Sequence, residues 1–346
     1  MDTITARPGL LKQANLTLIR KAVKNQGTAT RAQIAQETGI SVTTVRSLLA
    51  EMMRSGEIES AGCGASSGGR KAERYRLRPD RYHGAAFCIA DGGVHCLVVN
   101  VCGEIVRSAP LAVQDGNFEA AITAFLDGLV GELDIRAIGV GVPGIVEGGG
   151  YWRQDVRSGE LVKAELGSAL ARRYGLPVIL ENDLNATAIG FGRCYGHEFP
   201  EEDPADANMV YLYFERGCVS AGLIAGGQVV RGHRNFAGEL GLVPLAGEKN
   251  LDGCLDEAAD GGRYTDLVIQ ALAWLCGILN PQYIALGGPA FHREFLGPIG
   301  DGLTALLPTQ MCAELLYAPD MQHDYHEGMA YLTAGKMFTD IQFIQE

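Results

Sequence analysis

Residues 176–192 read LPVILENDLNATAIGFG, and this stretch predicts a buried strand that runs directly into a helix. The polar Glu181, Asn182 and Asp183 then fall at the carboxyl end of the strand, where open α/β sheets bind their ligands. Asn182 and Asp183 together can donate to and accept from adjacent hydroxyl groups. Alternatively, Asp183 only caps the helix and Asn182 has no part in binding.

The alternation of strand and helix continues on both sides of this stretch, from residue 83 onward. Seven apolar segments are predicted as strands: Ala85–Ile89, Cys96–Val101, Ala137–Val142, Val178–Glu181, Met209–Phe214, Ala221–Ala225 and Tyr283–Leu286. Five segments are predicted as helices: Phe118–Leu133, Lys163–Tyr174, Asn185–Tyr195, Tyr264–Leu279 and Met329–Phe338. Such alternation predicts an α/β fold in which mixed sheets are covered by helices.

The first 82 residues predict short helices followed by a hairpin. Thr30 and Gln33 form a capping-box start, and Gly39 suits the left-handed turn that ends this helix. Ser41 can cap the next helix. The apolar face of that next helix comprises Val45, Leu48, Leu49, Met52 and Met53. Two amphipathic helices joined by so short a turn predict a helix-turn-helix.

A wing is expected to follow these helices. Ile58–Ala61 and Arg74–Leu77 are predicted as two short strands, and the glycine- and serine-rich segment between them is predicted as a hairpin tip. The tip carries Arg70 and Lys71 on flexible backbone, which suits entry into a minor groove.

The charge of the chain is divided between its two parts. Residues 1–82 carry 14 Lys and Arg against 7 Asp and Glu, whereas the remaining residues carry 15 against 34. A basic first part on an acidic body indicates a polyanionic partner for the first part alone. We expect double-stranded DNA to be contacted by Thr43, Thr44, Arg46, Ser47, Arg70 and Lys71. Alternatively, the helices form a small module that packs against a protein or dimerises.

Cysteine usage and the first residues favour a reducing cytoplasm. The nine cysteines include no Cys-x-x-Cys pair, and MDTITARPGL lacks the pattern of a signal peptide. The most apolar run, Leu267–Leu279, is too short to span a bilayer and predicts a buried helix.

From residue 83 the chain resembles the ROK family (repressor, open reading frame, kinase), which joins sugar kinases and sugar-responsive repressors. The resemblance rests on four strings in order: GVGVPG at 139–144, LPVILENDLNATAIGFG at 176–192, GQVVRGHRNFAGELG at 227–241 and NPQYIALGG at 280–288. It implies an actin-like, hexokinase-like fold of two α/β lobes with a cleft between them. In the repressor branch a winged helix-turn-helix precedes this body.

The resemblance therefore implies two domains. Residues 1–82 are expected to be the winged helix-turn-helix DNA-binding domain, and residues 83–346 the sugar-kinase-like domain. Its smaller lobe is expected at about 83–195 plus the C-terminal helix, and its larger lobe at about 196–325.

We expect the effector-binding residues to be Gly144, Asn182, Asp183, Glu239 and Asp256. Glycine-rich backbone at Gly144 permits close approach of a ligand, and Asp183 aligns with the residue that takes the sugar proton in family kinases. Glu239 follows a glycine-rich loop and could reach the same cleft, or it is only a surface charge. The effector implied is a sugar, a phosphosugar or another derivative, unless the body binds no ligand at all.

Three departures from the family pattern argue against kinase activity. Residues Ala90–Val94 lack the leading Asp and final Thr of the family's Asp-x-Gly-Gly-Thr loop, and Arg216–Gly222 adds side chains to a loop that needs bare backbone N–H groups. The zinc module is also missing, because its histidine position is Leu242 and its cysteine run holds only Cys254. We therefore expect no catalytic residue, cofactor or metal.

The expected mechanism is that of a homodimeric repressor. Its two recognition helices would sit in successive major grooves, and ligand closure of the lobes would change their spacing. The main alternative is an ATP-dependent sugar kinase with a fused DNA-binding head, and a higher oligomer or an activator also remains open.

Overall fold

The computed structural model describes residues 8–63, 72–90, 92–154, 160–195, 207–245, 249–258 and 261–338. Up to residue 77 the chain forms three helices and a three-stranded antiparallel sheet, here called the head. Its elements are α1 (Pro8–Gln26), β1 (Ala29–Thr30), α2 (Arg31–Thr38), α3 (Val42–Arg54), β2 (Ile58–Cys63) and β3 (Glu73–Leu77). Strand β3 lies between β1 and β2, so β2 and β3 form a hairpin.

Local sequence decides where the helices of the head begin and end. The Thr30 hydroxyl accepts from the Gln33 N–H while the Gln33 side chain accepts from the Thr30 N–H, which confirms the predicted capping box. Gly39, with φ 69°, ends α2 in the left-handed region. The Ser41 hydroxyl accepts from the Thr44 N–H and begins α3, as predicted.

The head has its own apolar core. From α3 it buries Val45, Leu48, Leu49 and Met52, and from α1 it buries Leu16, Ile19, Ala22 and Val23. Met53 is 39% exposed, so the prediction that it belongs to this apolar face is wrong. One residue along a helix is a rotation of about 100°, which turns Met53 away from the core that Met52 enters.

The small lobe is built on a five-stranded sheet in the order β11-β7-β4-β5-β6, with a three-stranded sheet, β8-β9-β10, beside it. Its elements are β4 (His83–Ala90), β5 (Gly93–Asn100), β6 (Ile105–Leu111), α4 (Phe118–Glu132), β7 (Ile135–Val142), β8 (Ile145–Glu147), β9 (Gly150–Gln154), β10 (Leu161–Ala164), α5 (Leu166–Tyr174), β11 (Val178–Asn182) and α6 (Asp183–Tyr195). Helices α4 and α5 cover one face of the five-stranded sheet, in one continuous apolar cluster.

The large lobe is built on a second five-stranded sheet, in the order β14-β13-β12-β15-β16. Its elements are β12 (Met209–Glu215), β13 (Cys218–Ala225), β14 (Gln228–Val229), α7 (Leu251–Asp256), α8 (Gly261–Leu279), β15 (Tyr283–Gly287), α9 (Leu296–Leu306) and β16 (Glu314–Ala318). Helices α8 and α9 cover one face, which confirms the predicted buried helix over Leu267–Leu279. No helix in the described part of the chain is both long and apolar enough to cross a membrane.

Two helices pack against each other between the sheets. Helix α6 covers the inner face of the large-lobe sheet, and α10 (Met321–Lys336) covers the inner face of the small-lobe sheet. Their axes approach closely because glycines face each other: a Cβ at Gly190 would lie 2.7 Å from the Gly328 nitrogen. The inter-lobe contact is therefore made backbone to backbone.

The head and the small lobe share one apolar cluster through α10. Ala330, Ala334 and Met337 of the α10 region belong to the same cluster as Ile19 and Val23 of the head. Polar contacts reinforce it, since the Thr17 hydroxyl donates to the Phe338 carbonyl at 3.0 Å and Lys24 lies 6.0 Å from the Tyr331 ring centre. The head is therefore docked on the body rather than tethered by a bare linker.

Two predicted helix starts are wrong. Helix α5 begins at Leu166 rather than Lys163, because Lys163 pairs with Trp152 in the sheet β8-β9-β10. Helix α10 begins at Met321 rather than Met329, and the Asp320 side chain caps it by accepting from the N–H three residues on. The sequence analysis also missed β1, β6, β8–β10, β14, β16, α7 and α9.

Candidate functional site

The cleft between the lobes begins where β7 and β11 end. These strands are parallel neighbours and Asn182 pairs with Val142, so Gly144 and the start of α6 lie at one sheet edge. The Asn182 amide donates to the Gly144 carbonyl at 3.2 Å. At Gly144 φ is 142°, and a Cβ there would overlap the Trp152 carbonyl oxygen. Glycine is therefore required where this edge meets β9.

Asn182 and Asp183 are held by the first turn of α6. The Asn182 side-chain oxygen accepts from the Asn185 N–H at 3.0 Å, and its amide donates to Asp183 Oδ1 at 3.0 Å. Asp183 Oδ1 also accepts from the Leu184 N–H at 2.9 Å. Asn182 and Asp183 therefore satisfy the start of α6 while lying at the sheet edge beside Gly144.

The environment of Asp183 favours its neutral form. Burial, with a smaller contribution from the Glu239 carboxylate, raises the pKa of Asp183 to about 7. Burial also raises the pKa of Glu239, while a hydrogen bond from Ser220 acts against it. The structure thus brings Glu239 of the large lobe within electrostatic reach of Asp183 of the small lobe.

Glu181 lies under this pair and is 3% exposed. It accepts from the Asn185 side chain and from the Asn182 N–H, both at 3.0 Å, and forms a salt bridge with Arg231. Because a buried carboxylate is costly without a partner, Arg231 stabilises the strand end that carries Asn182.

Arg231 belongs to a large-lobe segment, residues 230–239, here called the clasp loop. Near its middle the Asn235 side chain donates to the Val146 carbonyl of β8. The clasp loop therefore bridges the cleft at two points, through Arg231 and Asn235. The sequence analysis did not identify either residue, because their partners lie 50 and 89 residues away in the chain.

Asp256 lies at the end of α7, against the turn between β12 and β13. It accepts from the Gly217 N–H at 2.8 Å. Its neighbour Asp252 accepts from the Val219 N–H at 2.7 Å, and burial raises the pKa of Asp252. Of the five predicted effector residues, Gly144, Asn182 and Asp183 are joined by hydrogen bonds, Glu239 lies within electrostatic reach of Asp183, and Asp256 is hydrogen-bonded to the β12–β13 turn.

A second candidate surface is the outer side of α3. Thr43, Arg46 and Ser47 are exposed there, whereas Thr44 is partly buried and bonded to Ser41 at 2.9 Å. The β2–β3 hairpin follows this helix directly. Arg70 and Lys71, predicted at its tip, lie outside the described residues.

Comparison with known families addresses both parts of the chain. Residues 94–262 match the model described as "ROK family", and residues 15–71 match "FeoC like transcriptional regulator". The chain contains a ROK family domain. The second match covers α2, α3 and most of α1.

Several relatives of this chain are named repressors. It is 25% identical over 262 residues to the xylose repressor of Caldicellulosiruptor bescii, covering 71% of this chain and 62% of that one. It is 23% identical over 260 residues to the xylose repressor of Bacillus subtilis, covering 68% and 61%. The chain thus spans about three fifths of the length of these relatives.

Solved structures share the architecture. A ROK family transcriptional regulator described as a homologue of the Escherichia coli MLC protein aligns with a TM-score of 0.69 at 18% identity, covering 94% of this chain and 99% of that one. The ROK hexokinase of Thermus thermophilus aligns with a TM-score of 0.56 at 19% identity, covering 72% and 98%. The ROK domain therefore has the actin-like, hexokinase-like α/β fold.

Two positions aligned with the phosphate loops of the family kinases make other contacts in this structure. Val94, at the position of the family threonine, is buried in the small-lobe core. In the second loop the N–H groups of Gly217 and Val219 are taken by carboxylates. Asp91 lies outside the described residues.

The residues of the zinc module do not fit a zinc ion either. Leu242, at the position of the family histidine, is 60% exposed, and Cys254 is packed with Leu245 and Leu251 in an apolar cluster. Within the described ranges, no three His, Cys, Asp or Glu side chains lie close enough to hold a metal. An apolar cluster packs α7 on α8.

Proposed function

We propose that this chain is a DNA-binding transcriptional repressor whose ROK domain binds a sugar effector. The observation that carries the proposal is the exposed polar face of α3, supported by α2 and followed by the β2–β3 hairpin. Relatives named xylose repressor and N-acetylglucosamine repressor support it. We propose further that the protein acts in the cytoplasm as a homodimer on a pseudo-palindromic site.

We propose that residues 1–82, which contain the head, are a winged helix-turn-helix domain. Helix α3 would enter the major groove with Thr43, Arg46 and Ser47 toward base edges and phosphates, and Thr44 near its start. The hairpin would be the wing, with Arg70 and Lys71 at its tip. The excess of Lys and Arg over Asp and Glu in residues 1–82 supports a polyanionic partner.

The effector is proposed to bind between the lobes of the body, which we place at residues 83–346. Asn182 and Asp183 would take ring hydroxyls, with the Gly144 backbone on one side and Glu239 across the cleft. One oxygen of Asp256 already accepts from the β12–β13 turn. Its contact with an effector would therefore use the other oxygen.

Coupling between cleft and head is proposed to run through α10. Near its first turn, Tyr325 packs on Gly141 of β7 and its hydroxyl donates to the Ile89 carbonyl at 3.4 Å. Past its last turn, Phe338 lies against α1. A change in lobe closure would shift this helix and so reorient the head, with a coupling of roughly 1–3 kcal/mol.

DNA binding is tested by fluorescence anisotropy with duplexes selected from a random pool. We expect salt-sensitive binding, and we expect Arg46→Ala to weaken it by about 10-fold or more because a phosphate or base contact is lost. Arg172→Ala, which removes an exposed arginine of α5 in the body, is the matched control. Loss of the same size in both variants, or no binding by the unaltered chain, would refute the proposal.

The kinase alternative is tested by a coupled phosphoryl-transfer assay with ATP and a panel of sugars. We expect no turnover, because the loops that would hold the phosphates are altered. Steady turnover that Asp183→Asn abolishes would favour a kinase instead. Thermal stabilisation by sugars in the absence of ATP tests effector binding separately.

A further inference from the structure

Two cations from different parts of the chain lie on the ring of Tyr331. The Nζ atom of Lys24, in the last turn of α1, lies 6.0 Å from the ring centre. The guanidinium carbon of Arg193, in the last turn of α6, lies 4.1 Å from the same centre. Tyr331 belongs to α10 and is 40% exposed. One cation of the head and one of the body therefore converge on a single ring, and these three residues are here called the cation junction.

No carboxylate pairs with the cation junction in the part of the chain that the structure describes. Among those residues, neither Lys24 nor Arg193 forms a salt bridge. Glu327 is described on the preceding turn of α10 and lies beyond salt-bridge distance of both cations. Glu104, in the turn between β5 and β6, accepts from the Asn100 side chain at 2.7 Å. The described structure therefore leaves two positive charges close together with no negative charge between them.

Lys24 is partly withdrawn from water. A Cβ added at Gly103, in the turn between β5 and β6, would lie 3.9 Å from its Nζ atom, so the ammonium group lies against the small lobe. Burial lowers the pKa of Lys24, the Cys102 thiol acts in the opposite direction, and Arg193 lowers it further. An ammonium group that is desolvated beside a like charge is costly unless an anion joins it, and a cation–π contact offsets only part of that cost.

We propose that the cation junction binds a free phosphate ion and that this ion stabilises the docked position of the head. Lys24 and Arg193 supply charge-assisted donors, and the Tyr331 hydroxyl is a third donor. Because Lys24 belongs to the head and the other two residues belong to the body, the ion binds best when head and body are packed together.

The cation junction is separate from the cleft between the lobes. Arg193 is at the opposite end of α6 from Asp183, and the rise of an α-helix places their Cα atoms about 15 Å apart. The inference therefore goes beyond the proposed function, because it assigns a second ligand to a different surface. It does not require that the chain repress transcription or bind a sugar.

The first test is calorimetry on the full chain with inorganic phosphate as the probe, in a chloride buffer of constant ionic strength. We expect saturable binding that Lys24→Met and Arg193→Met each weaken by at least about 10-fold, because a charge-assisted donor is lost. The matched controls are Lys12→Met, which removes an exposed lysine of α1, and Arg172→Met, which removes an exposed arginine in the last turn of α5. No saturable binding by the unaltered chain, or equal losses in the controls, would overturn the proposal.

Unfolding in urea separates a binding site from a merely structural contact. Without phosphate, Lys24→Met should raise the urea midpoint or leave it unchanged, because an unpaired charge beside Arg193 is removed. With saturating phosphate only the unaltered chain gains stability from the ion, so it should then have the higher midpoint. Lys12→Met should differ from the unaltered chain by the same amount in both buffers. A midpoint of Lys24→Met that is lower by the same amount in both buffers would indicate a structural contact and overturn the proposal.

The backbone of DNA carries the same phosphate chemistry, and a third measurement separates the two sources. In phosphate-free buffer, Lys24→Met and Arg193→Met should bind the selected duplex within about 3-fold of the unaltered chain. A loss of about 10-fold or more would assign these cations to the DNA backbone and overturn the proposal of a free ion. If the unaltered chain bound no duplex at all, the repressor proposal would fail, while the calorimetry and the urea midpoints would still decide this one.

Discussion

Replacing Gly328 by alanine should separate α6 from α10 and destabilise the whole protein. A Cβ at Gly328 would lie 2.7 Å from the carbonyl carbon of Ala186 and overlap its oxygen. Carbon atoms pack at about 3.5–4.0 Å, so the two helices must move apart by roughly 1 Å. Both backbones belong to helices packed on opposite sheets, so the movement cannot be absorbed by rotating one side chain.

The expected size follows from two opposing effects. Overpacking of this kind costs about 1–3 kcal/mol of unfolding free energy, and the alanine regains about 1 kcal/mol of helix propensity. Gly128 of α4 is the matched control, because it is an exposed mid-helix glycine whose added Cβ meets no atom within 4 Å. Gly128→Ala should therefore gain up to about 1 kcal/mol, with no opposing cost.

The assay is equilibrium unfolding in urea, followed by circular dichroism. We expect the midpoint of Gly328→Ala to fall below that of the unaltered chain and the midpoint of Gly128→Ala to equal or exceed it. If Gly328→Ala were as stable as Gly128→Ala, the close backbone contact between α6 and α10 would be refuted.

Three further predictions concern the cleft and the head. Because the folded pKa of Asp183 is raised to about 7, the native state holds a proton that the unfolded state loses above about pH 4, so stability falls as pH rises between these values. Asp183→Asn should therefore unfold at a higher urea concentration than the unaltered chain at pH 8, and at nearly the same concentration at pH 4. An equal difference between the two midpoints at pH 4 and pH 8 would contradict this. Arg231→Met should lower the free energy of unfolding by about 1–3 kcal/mol, because the buried Glu181 loses its partner; this range already allows for the partial exposure of Arg231. In a double-mutant cycle, adding Glu181→Gln should recover part of that loss. Phe338→Ala should change the affinities for DNA and for sugar by no more than about 3-fold, but it should weaken the effect of sugar on DNA binding. The measurement is DNA-binding anisotropy with and without the sugar. If the sugar changed DNA affinity as much as in the unaltered chain, α10 would be excluded as the coupling element.

Local sequence patterns predicted much of the head and the strand–helix junction beside the cleft. Thr30, Gly39 and Ser41 act through hydrogen bonds and dihedral angles within a few residues. The structure confirms the helix ends predicted from them. The strand–helix junction at Glu181–Asp183 was predictable for the same reason, since strand period and helix cap are both local patterns. The late start assigned to α10 has the opposite cause, because its first two turns are mostly polar in sequence and Asp324 and Tyr325 are buried there only by packing against distant segments.

Sequence patterns were enough to predict the α/β class of the body, the order of the two parts and the polar residues at the end of β11. Three features depend instead on packing between distant segments. Arg231 and Asn235 contact the small lobe, Asp256 and Asp252 accept from the Gly217 and Val219 N–H groups, and α10 joins the small lobe to the head. The reason is physical: caps and periodicities are encoded within a few residues, whereas the partner of a buried charge or of an N–H group depends on which distant segments packing brings together.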